Sequence, residues 1–215
     1  PSIPLFPVDG GLAGFLAAPM TAPRANARLT VLVADAFGRT FGGARRITVG
    51  AAGAVSGEAA SDTAVQHFDG PGGVSAVGET ATAPRWTKAF VAPASGRLVT
   101  PFRSALAKAD HRHRGQDVRT KPGESIRAVN AGVVRRAPAS TERVPVIAVD
   151  HGAGVVSRYW PVYGVDLQAG DRVERGEALG RTAGADEAAP GLLHWEIRVH
   201  GIASNLETWL QTASP

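Results

Sequence analysis

Residues 192–199 read Leu192-Leu193-His194-Trp195-Glu196-Ile197-Arg198-Val199. From Leu193 onward every second side chain is apolar, and the positions between carry His194, Glu196 and Arg198. Strict alternation of this kind predicts a β-strand with one buried face and one polar face. The imidazole of His194 is therefore expected to project from a half-buried strand toward a polar side.

A second motif, His113-Arg114-Gly115-Gln116-Asp117, places an imidazole and a carboxylate four residues apart. Gly115 disfavours a helix, and positions i and i+4 of a strand lie on one face, so both side chains can reach one ion. Taken alone, so short a motif is explained more simply by a surface histidine and a turn aspartate. With His194 it supplies two imidazoles and one carboxylate with an open fourth position, the ligand set of a hydrolytic zinc site.

The composition favours short strands joined by turns, because the 215 residues include 26 glycines and 15 prolines and 44% of them are hydrophobic. Cysteine is absent, which excludes disulfides and thiolate ligands. The net charge of +4 comes from residues 87–215, with 17 basic and 13 acidic side chains, since six of each precede them. These charges are scattered and mixed in sign, so nucleic acid is not an expected partner.

No apolar run approaches the roughly 20 residues that a membrane span needs, so no transmembrane segment is expected. Residues 1–7 have neither the basic nor the apolar region of a signal peptide. We interpret the chain as a fragment or mature form of an exported protein whose signal would lie upstream.

Changes in pattern along the chain predict three segments. Residues 1–50 alternate between strands and turns and are interpreted as a small Ig-like β-sandwich. Its strands are too few to hold a core alone, so either its first strands are missing or it packs on its neighbour. Residues 51–86 are rich in Ala, Gly, Ser and Thr, which is typical of a linker or arm. Residues 87–215 form the main β domain.

The main domain contains a weak internal repeat, in which residues 123–132 and 170–180 each predict a strand, a glycine turn and a second strand. Two such halves are expected to pack against each other. Lipoyl and biotinyl carrier domains share this pattern, but they need a lysine in a hairpin between the halves. Lys88, Lys108 and Lys121 all precede the first repeat, which excludes the carrier interpretation.

The whole C-terminal segment resembles the LytM/lysostaphin-type zinc metallopeptidases, peptidase family 23. The matching stretches, in the family's order, are residues 90–102, 113–117 (His-x-Gly-x-Asp), 123–133, 151–154 (His-Gly-x-Gly), 157–162, 167–176 and 192–196. The resemblance implies a mainly β domain, a barrel or sandwich built from a duplicated motif. It also implies one zinc ion held by His113, Asp117 and His194, and a location in the periplasm or cell envelope.

The sequence departs from the family at the two positions where active members carry catalytic histidines. These positions are Pro161, which has no proton to exchange, and Leu192, which by strand parity shares the face of His194. Loss of a positioned acid or base typically costs about 10²–10⁴ in rate. His111 and Tyr159 are the candidate substitutes. Trp160 is either a platform for a peptide or sugar at the groove, or a side chain packed at the edge of the β domain.

Three functions follow from this interpretation. The first is a non-catalytic envelope protein, with or without zinc, that binds peptidoglycan stem peptides or regulates a cell-wall hydrolase, as degenerate relatives do when they activate amidases. The second is a working zinc endopeptidase for peptidoglycan with an unusual proton donor. The third is a structural β module with a vestigial metal site. The missing histidines favour the first.

Overall fold

The computed structural model describes residues 5–8, 11–15, 25–34, 39–49, 82–104, 113–138, 144–186 and 190–211. The chain is mainly β, as predicted. In chain order the elements are β1 (Phe6–Val8), β2 (Gly11–Ala13), β3 (Ala25–Ala34), β4 (Thr40–Val49), β5 (Arg97–Thr100), β6 (Gln116–Arg119), β7 (Ser125–Arg127), β8 (Gly132–Arg136), β9 (Ile147–Asp150), β10 (Val155–Trp160), β11 (Arg172–Val173), β12 (Ala178–Arg181), β13 (Leu192–Val199), β14 (Ile202–Ser204) and α1 (Leu206–Gln211). Within these ranges, no helix has the length and apolarity needed to cross a membrane.

Eight strands form one antiparallel sheet in the order β11-β8-β9-β10-β13-β6-β5, with β14 paired to β13. The end strands β11 and β5 do not pair with each other in the described part of the chain, so the sheet is open. Of the two predicted forms, the sandwich is confirmed and the closed barrel is wrong. Strand β11 has only two residues and the pairing of β5 is interrupted by a bulge, so neither end offers the long staggered edge that closure requires.

The two predicted repeats pair with each other reciprocally. The first strand of the first repeat, β7, pairs with the second strand of the second repeat, β12, and β8 pairs with β11. The turns join in the same exchange, because the Ala128 amide donates to the Glu177 carbonyl at 2.8 Å and the Gly176 amide donates to the Ala128 carbonyl at 2.8 Å. Each half therefore completes the hydrogen bonding of the other, as expected for duplicated β motifs.

Strand β13 lies inside the sheet, between β10 and β6, and the expected alternation is present. Leu193, Trp195 and Ile197 are at most 1% exposed and lie on its apolar face. The opposite face carries the polar side chains, as predicted. It is nevertheless buried, since His194 and Glu196 are only 3% and 1% exposed. Side chains from β6 and β10 fill this face, so the polar residues of β13 are paired with protein groups instead of water.

A chain of hydrogen bonds crosses the apolar side of the sheet. The Val129 amide donates to the Tyr159 hydroxyl at 3.1 Å, and that hydroxyl donates to Ser157 Oγ at 2.8 Å. Ser157 Oγ is 2.8 Å from His151 Nε2, and His151 Nδ1 is 2.8 Å from the Ala131 carbonyl. With Nδ1–H donating to the carbonyl, Nε2 accepts from Ser157. Each group therefore has a partner only while His151 is neutral.

We expect the stability of the fold to fall as the pH drops from about 6.5 toward 4. Burial lowers the pKa of His151 from 6.5 to about 4, so in this window the unfolded state binds a proton that the folded state does not. The loss accumulates at up to about 1.4 kcal/mol per pH unit, to about 3 kcal/mol in all. Urea unfolding of metal-free protein at several pH values measures it.

The matched variant for this prediction is His151→Gln, whose amide can donate to the Ala131 carbonyl and accept from Ser157 without titrating. Its free energy of unfolding should depend less steeply on pH than that of the wild type between 6.5 and 4. Parallel curves for the two proteins would show that His151 does not carry the effect.

The contacts divide the chain into two compact units, Pro1–Ala17 with Val55–Pro215, and Ala18–Ala54. In the first unit Phe15 lies 5.6 Å from Phe6, 5.7 Å from Trp86 and 5.4 Å from Trp209, measured between ring centres. The second unit consists, in its described part, of the ten-residue strands β3 and β4 paired as a hairpin. Residues 50–81 lie outside the described ranges, so the domain boundaries at 50 and 86 stay predictions.

Candidate metal centre

Strands β6 and β13, with the segment that precedes β6, bring the candidate ligands together beside Trp160 on β10. In the pairing register His194 on β13 stands opposite Asp117 on β6 and opposite Trp160 on β10. His113 precedes β6, and its backbone is held by hydrogen bonds to Ser104 and Arg103, at 3.0 and 2.7 Å. The strand expected over residues 113–117 begins only at Gln116, and the chain bends at Gly115. This bend brings His113 back to Asp117, whereas a fully extended chain would hold residues i and i+4 roughly 13 Å apart.

The ligand atoms converge closely. Asp117 Oδ1 lies 3.2 Å from His113 Nε2 and 2.7 Å from His194 Nδ1, and the two nitrogens are 3.0 Å apart. Tetrahedral zinc with bonds of about 2.0–2.1 Å sets its ligand atoms roughly 3.3 Å apart. The distances in this cluster are slightly shorter, so a small outward movement of the side chains would make room for the ion. All three side chains are buried. The donor set and its spacing therefore fit one zinc ion.

The electrostatics of Asp117 and His194 favour the binding of a cation. Burial raises the pKa of Asp117, but hydrogen bonds from His113 and His194 outweigh it and the pKa is lowered, so the carboxylate is charged. Burial lowers the pKa of His194, which favours the neutral imidazole. His113 Nδ1 lies 3.1 Å from the Pro101 carbonyl. If an ion took the place of the hydrogen bond between Nε2 and Asp117, a proton on Nδ1 donated to that carbonyl would leave the Nε2 lone pair for the ion.

Two polar atoms of the cluster are buried without a hydrogen-bond partner among the described residues, Asp117 Oδ2 and His194 Nε2. Buried polar atoms in proteins nearly always have a partner. Asp117 Oδ2 is therefore available to an ion held by this cluster, whereas His194 Nε2 lies across the ring from the converging Nδ1 and is suited to an ordered water. Gly115 is required next to this site, because a Cβ at that position would lie 2.5 Å from His194 Nε2 and 2.2 Å from the Trp195 carbonyl oxygen. The glycine of the motif thus makes room for the ligand histidine.

The two positions at which, by resemblance, active family members carry catalytic histidines lie beside the cluster. The register sets Leu192 opposite Arg119, two residues from the His194–Asp117 pair and on the same face. Pro161 directly follows Trp160 at the end of β10 and is buried. Neither side chain can exchange a proton, so neither can take the acid–base role that a histidine would have at its position.

The three groove candidates have different positions. Trp160 lies against the cluster, with its ring centre 3.9 Å from that of His194, and it is only 6% exposed. Tyr159 is on the opposite face, fully buried, and burial raises the pKa of its hydroxyl. A tyrosine in that place is a core residue and does not face the metal centre. His111 lies outside the described residues.

Sequence reasoning did not single out Arg158, the neighbour of Glu196 in the cross-strand register. Arg158 Nη1 donates to Glu196 Oε1 at 2.8 Å, and both side chains are buried. The signal was present, because Arg158 is two residues from Trp160 and therefore on its face. An arginine in the middle of an otherwise apolar strand marks a paired charge or a site.

Comparisons with known proteins agree with this architecture. Residues 111–206 match the model of peptidase family M23. A structure from Pseudomonas aeruginosa described as a peptidase M23 aligns with a TM-score of 0.63 and 18% identity, over 97% of this chain and 83% of that one. Csd3 from Helicobacter pylori aligns with a TM-score of 0.50 and 21% identity, over 59% of this chain and 36% of that one.

A zinc containing peptidase from Vibrio cholerae aligns with a TM-score of 0.49 and 17% identity, over 59% of this chain and 41% of its own. The present chain thus spans less than half of the Vibrio and Helicobacter chains. A comparison with curated proteins gave no match. The likenesses to the Pseudomonas and Helicobacter structures show the fold. The family match covers the segment that carries all three candidate ligands.

Proposed function

Because residues 111–206 match the model of peptidase family M23, we propose that this chain is a non-catalytic, zinc-holding protein of the cell envelope that binds peptidoglycan stem peptides. The observation that carries the proposal is the contrast within one site. His113, Asp117 and His194 converge to between 2.7 and 3.2 Å. The two positions assigned to catalytic histidines by resemblance hold Leu192 and Pro161.

Retention of the ligands fits a binding role. Zinc bound there would supply a Lewis acid able to hold a carbonyl oxygen of a peptide. Other groups of the chain would hold the ligands of that ion in place. The Pro101 carbonyl contacts His113 Nδ1, and the Trp160 ring packs on His194. Proton transfer is the part of hydrolysis for which the described face offers no free group, since Glu196 is bound by two guanidinium groups and Tyr159 points into the core.

Regulation of a cell-wall hydrolase is the second form of the same proposal, in which the groove or its rim contacts a protein partner. Localisation in the periplasm or envelope belongs to the proposal as well, since peptidoglycan and its hydrolases are found there. Support for both comes from the family match and from the resemblance of the motifs.

The test is co-sedimentation with purified sacculi. Zinc-loaded protein is expected to pellet in a saturable manner, and chelation or His194→Ala is expected to weaken the binding by roughly tenfold or more, because the ion would be lost. His200→Ala is the matched control. It also removes a histidine, but one six residues further along the chain, roughly 20 Å away for an extended chain.

Cellulose is the control polymer, with which the protein should stay in the supernatant. Protein that also stays in the supernatant with sacculi would contradict peptidoglycan binding. Equal pelleting of the wild type and His194→Ala would contradict a role for the metal centre in that binding.

A further inference from the structure

A buried cluster of charges lies next to the metal centre. Arg158 and Glu196 face each other across β10 and β13, each two residues from the pair formed by Trp160 and His194. At about 3.3 Å per residue, the cluster is roughly 7 Å along the strands from the metal ligands. It therefore occupies the same face of the sheet as the candidate metal site.

The charges of this cluster do not balance. Glu196 Oε1 accepts from Arg158 Nη1 and from Arg198 Nε, both at 2.8 Å, so two guanidinium groups share one carboxylate. Arg136 adds further positive potential at Arg158. Arg158 is 4% exposed and Glu196 is 1% exposed. A buried charge without full compensation is costly, and a second anion would remove that cost.

The unused hydrogen-bond donors of the cluster show where such an anion fits. Arg158 Nε and Nη2 and Trp160 Nε1 are buried and have no partner among the residues that the structure describes. Nε and Nη2 form one edge of the guanidinium group, a fork of two parallel N–H bonds that matches the two oxygens of a carboxylate. The guanidinium carbon lies 5.4 Å from the Trp160 ring centre, so the indole N–H belongs to the same small region.

We propose that Arg158 and Trp160 form a carboxylate-binding subsite beside the metal centre, with the Nε–Nη2 edge of Arg158 as its fork. This inference rests on the proposed function, which it deepens by naming the group of the peptide that is recognised. Peptidoglycan stem peptides carry free carboxylates. A carboxylate about two residues from the peptide bond at the metal centre would reach Arg158, because an extended chain advances roughly 3.3–3.6 Å per residue.

The experiment uses two small probes that differ only in charge, N-acetylglycine and N-acetylglycinamide. In ¹H–¹⁵N spectra of the wild-type protein, the acid is expected to shift the Trp160 indole N–H and Arg158 Nε–H signals in a saturable manner. The amide is expected to leave them in place. The Trp160 signal is assigned by its absence in Trp160→Phe.

Arg158→Lys keeps the positive charge but lacks the fork, so it should weaken binding of the acid about tenfold or more. Arg135→Lys is the matched control, since Arg135 also pairs with a carboxylate, that of Asp150, at 2.6 Å. Its affinity for the acid should equal that of the wild type.

Equal shifts with acid and amide, or no shift with either, would overturn the subsite, and these outcomes need no variant. A larger response to inorganic phosphate than to the acid would also overturn a carboxylate site. Failure of the proposed function is distinguishable. In that case sacculi do not bind, while the acid still shifts both signals of the zinc-loaded protein.

Discussion

His194→Ala is expected to abolish the stabilisation of this protein by zinc. An ion that binds only the folded state stabilises it by about 2.7 kcal/mol when free zinc is 100 times the dissociation constant. For a chain of this size that corresponds to a rise in Tm of roughly 5–10 °C. Removing one of three protein ligands should lower the affinity by more than the roughly 10–100-fold attributed to outer-shell partners alone.

The measurement is the difference in Tm with and without zinc, together with the zinc content of protein purified without added metal. The difference matters more than either Tm, because the variant also loses the contact between the ring of residue 194 and Trp160. His200→Ala should keep the full difference. An equal rise in Tm for the wild type and His194→Ala would show that zinc acts elsewhere, and no rise in the wild type would mark the site as vestigial.

Glu196→Gln is expected to destabilise the fold by about 3–5 kcal/mol, because it leaves Arg158 and Arg198 next to each other without their shared carboxylate. The amide keeps the size and one acceptor oxygen, so the loss reports the charge. Urea unfolding monitored by tryptophan fluorescence measures it.

Glu174→Gln is the matched control, since Glu174 is exposed on the surface and its neutralisation should leave the free energy of unfolding nearly unchanged. Similar stabilities for Glu196→Gln and the wild type would mean that the two guanidinium groups are compensated by something other than Glu196.

The metal cluster could be predicted from the sequence because its geometry follows from strand parity. The alternation around His194 places it opposite the apolar side of its strand. The spacing of His113 and Asp117 predicted one site for both, but the contact depends on the bend at Gly115, since His113 precedes β6. What parity cannot supply is the register between strands. Only the pairing of β13 with both β6 and β10 puts Asp117 and Trp160 next to His194.

Tyr159 and Trp160 show the limit of this reasoning. Adjacent residues of a strand point to opposite faces, so only one of them can lie at the metal centre, and the sequence alone did not decide which. The register pairs Tyr159 with Trp195, a residue whose own pattern already placed it in the core. The contact between Phe15 and Trp209 was equally out of reach, because packing between distant segments leaves no periodic signal.

The internal repeat gave only a weak signal in the sequence, but the structure confirms the two halves that it predicted. Its glycine turns and apolar positions predicted two similar halves, and their hydrogen bonds join β7 to β12 and β8 to β11. The choice between barrel and sandwich depended on the lengths of the edge strands, which hydrophobic pattern determines only to within a few residues.

The measurement that tests the account most directly is the release of new amino groups and soluble fragments from purified sacculi by zinc-loaded protein. With Leu192 and Pro161 in place of proton donors, we expect sacculi to be bound but no release above that of His113→Ala, even on long incubation. Release that depends on zinc and disappears in His113→Ala would contradict the account and identify the chain as a working peptidase.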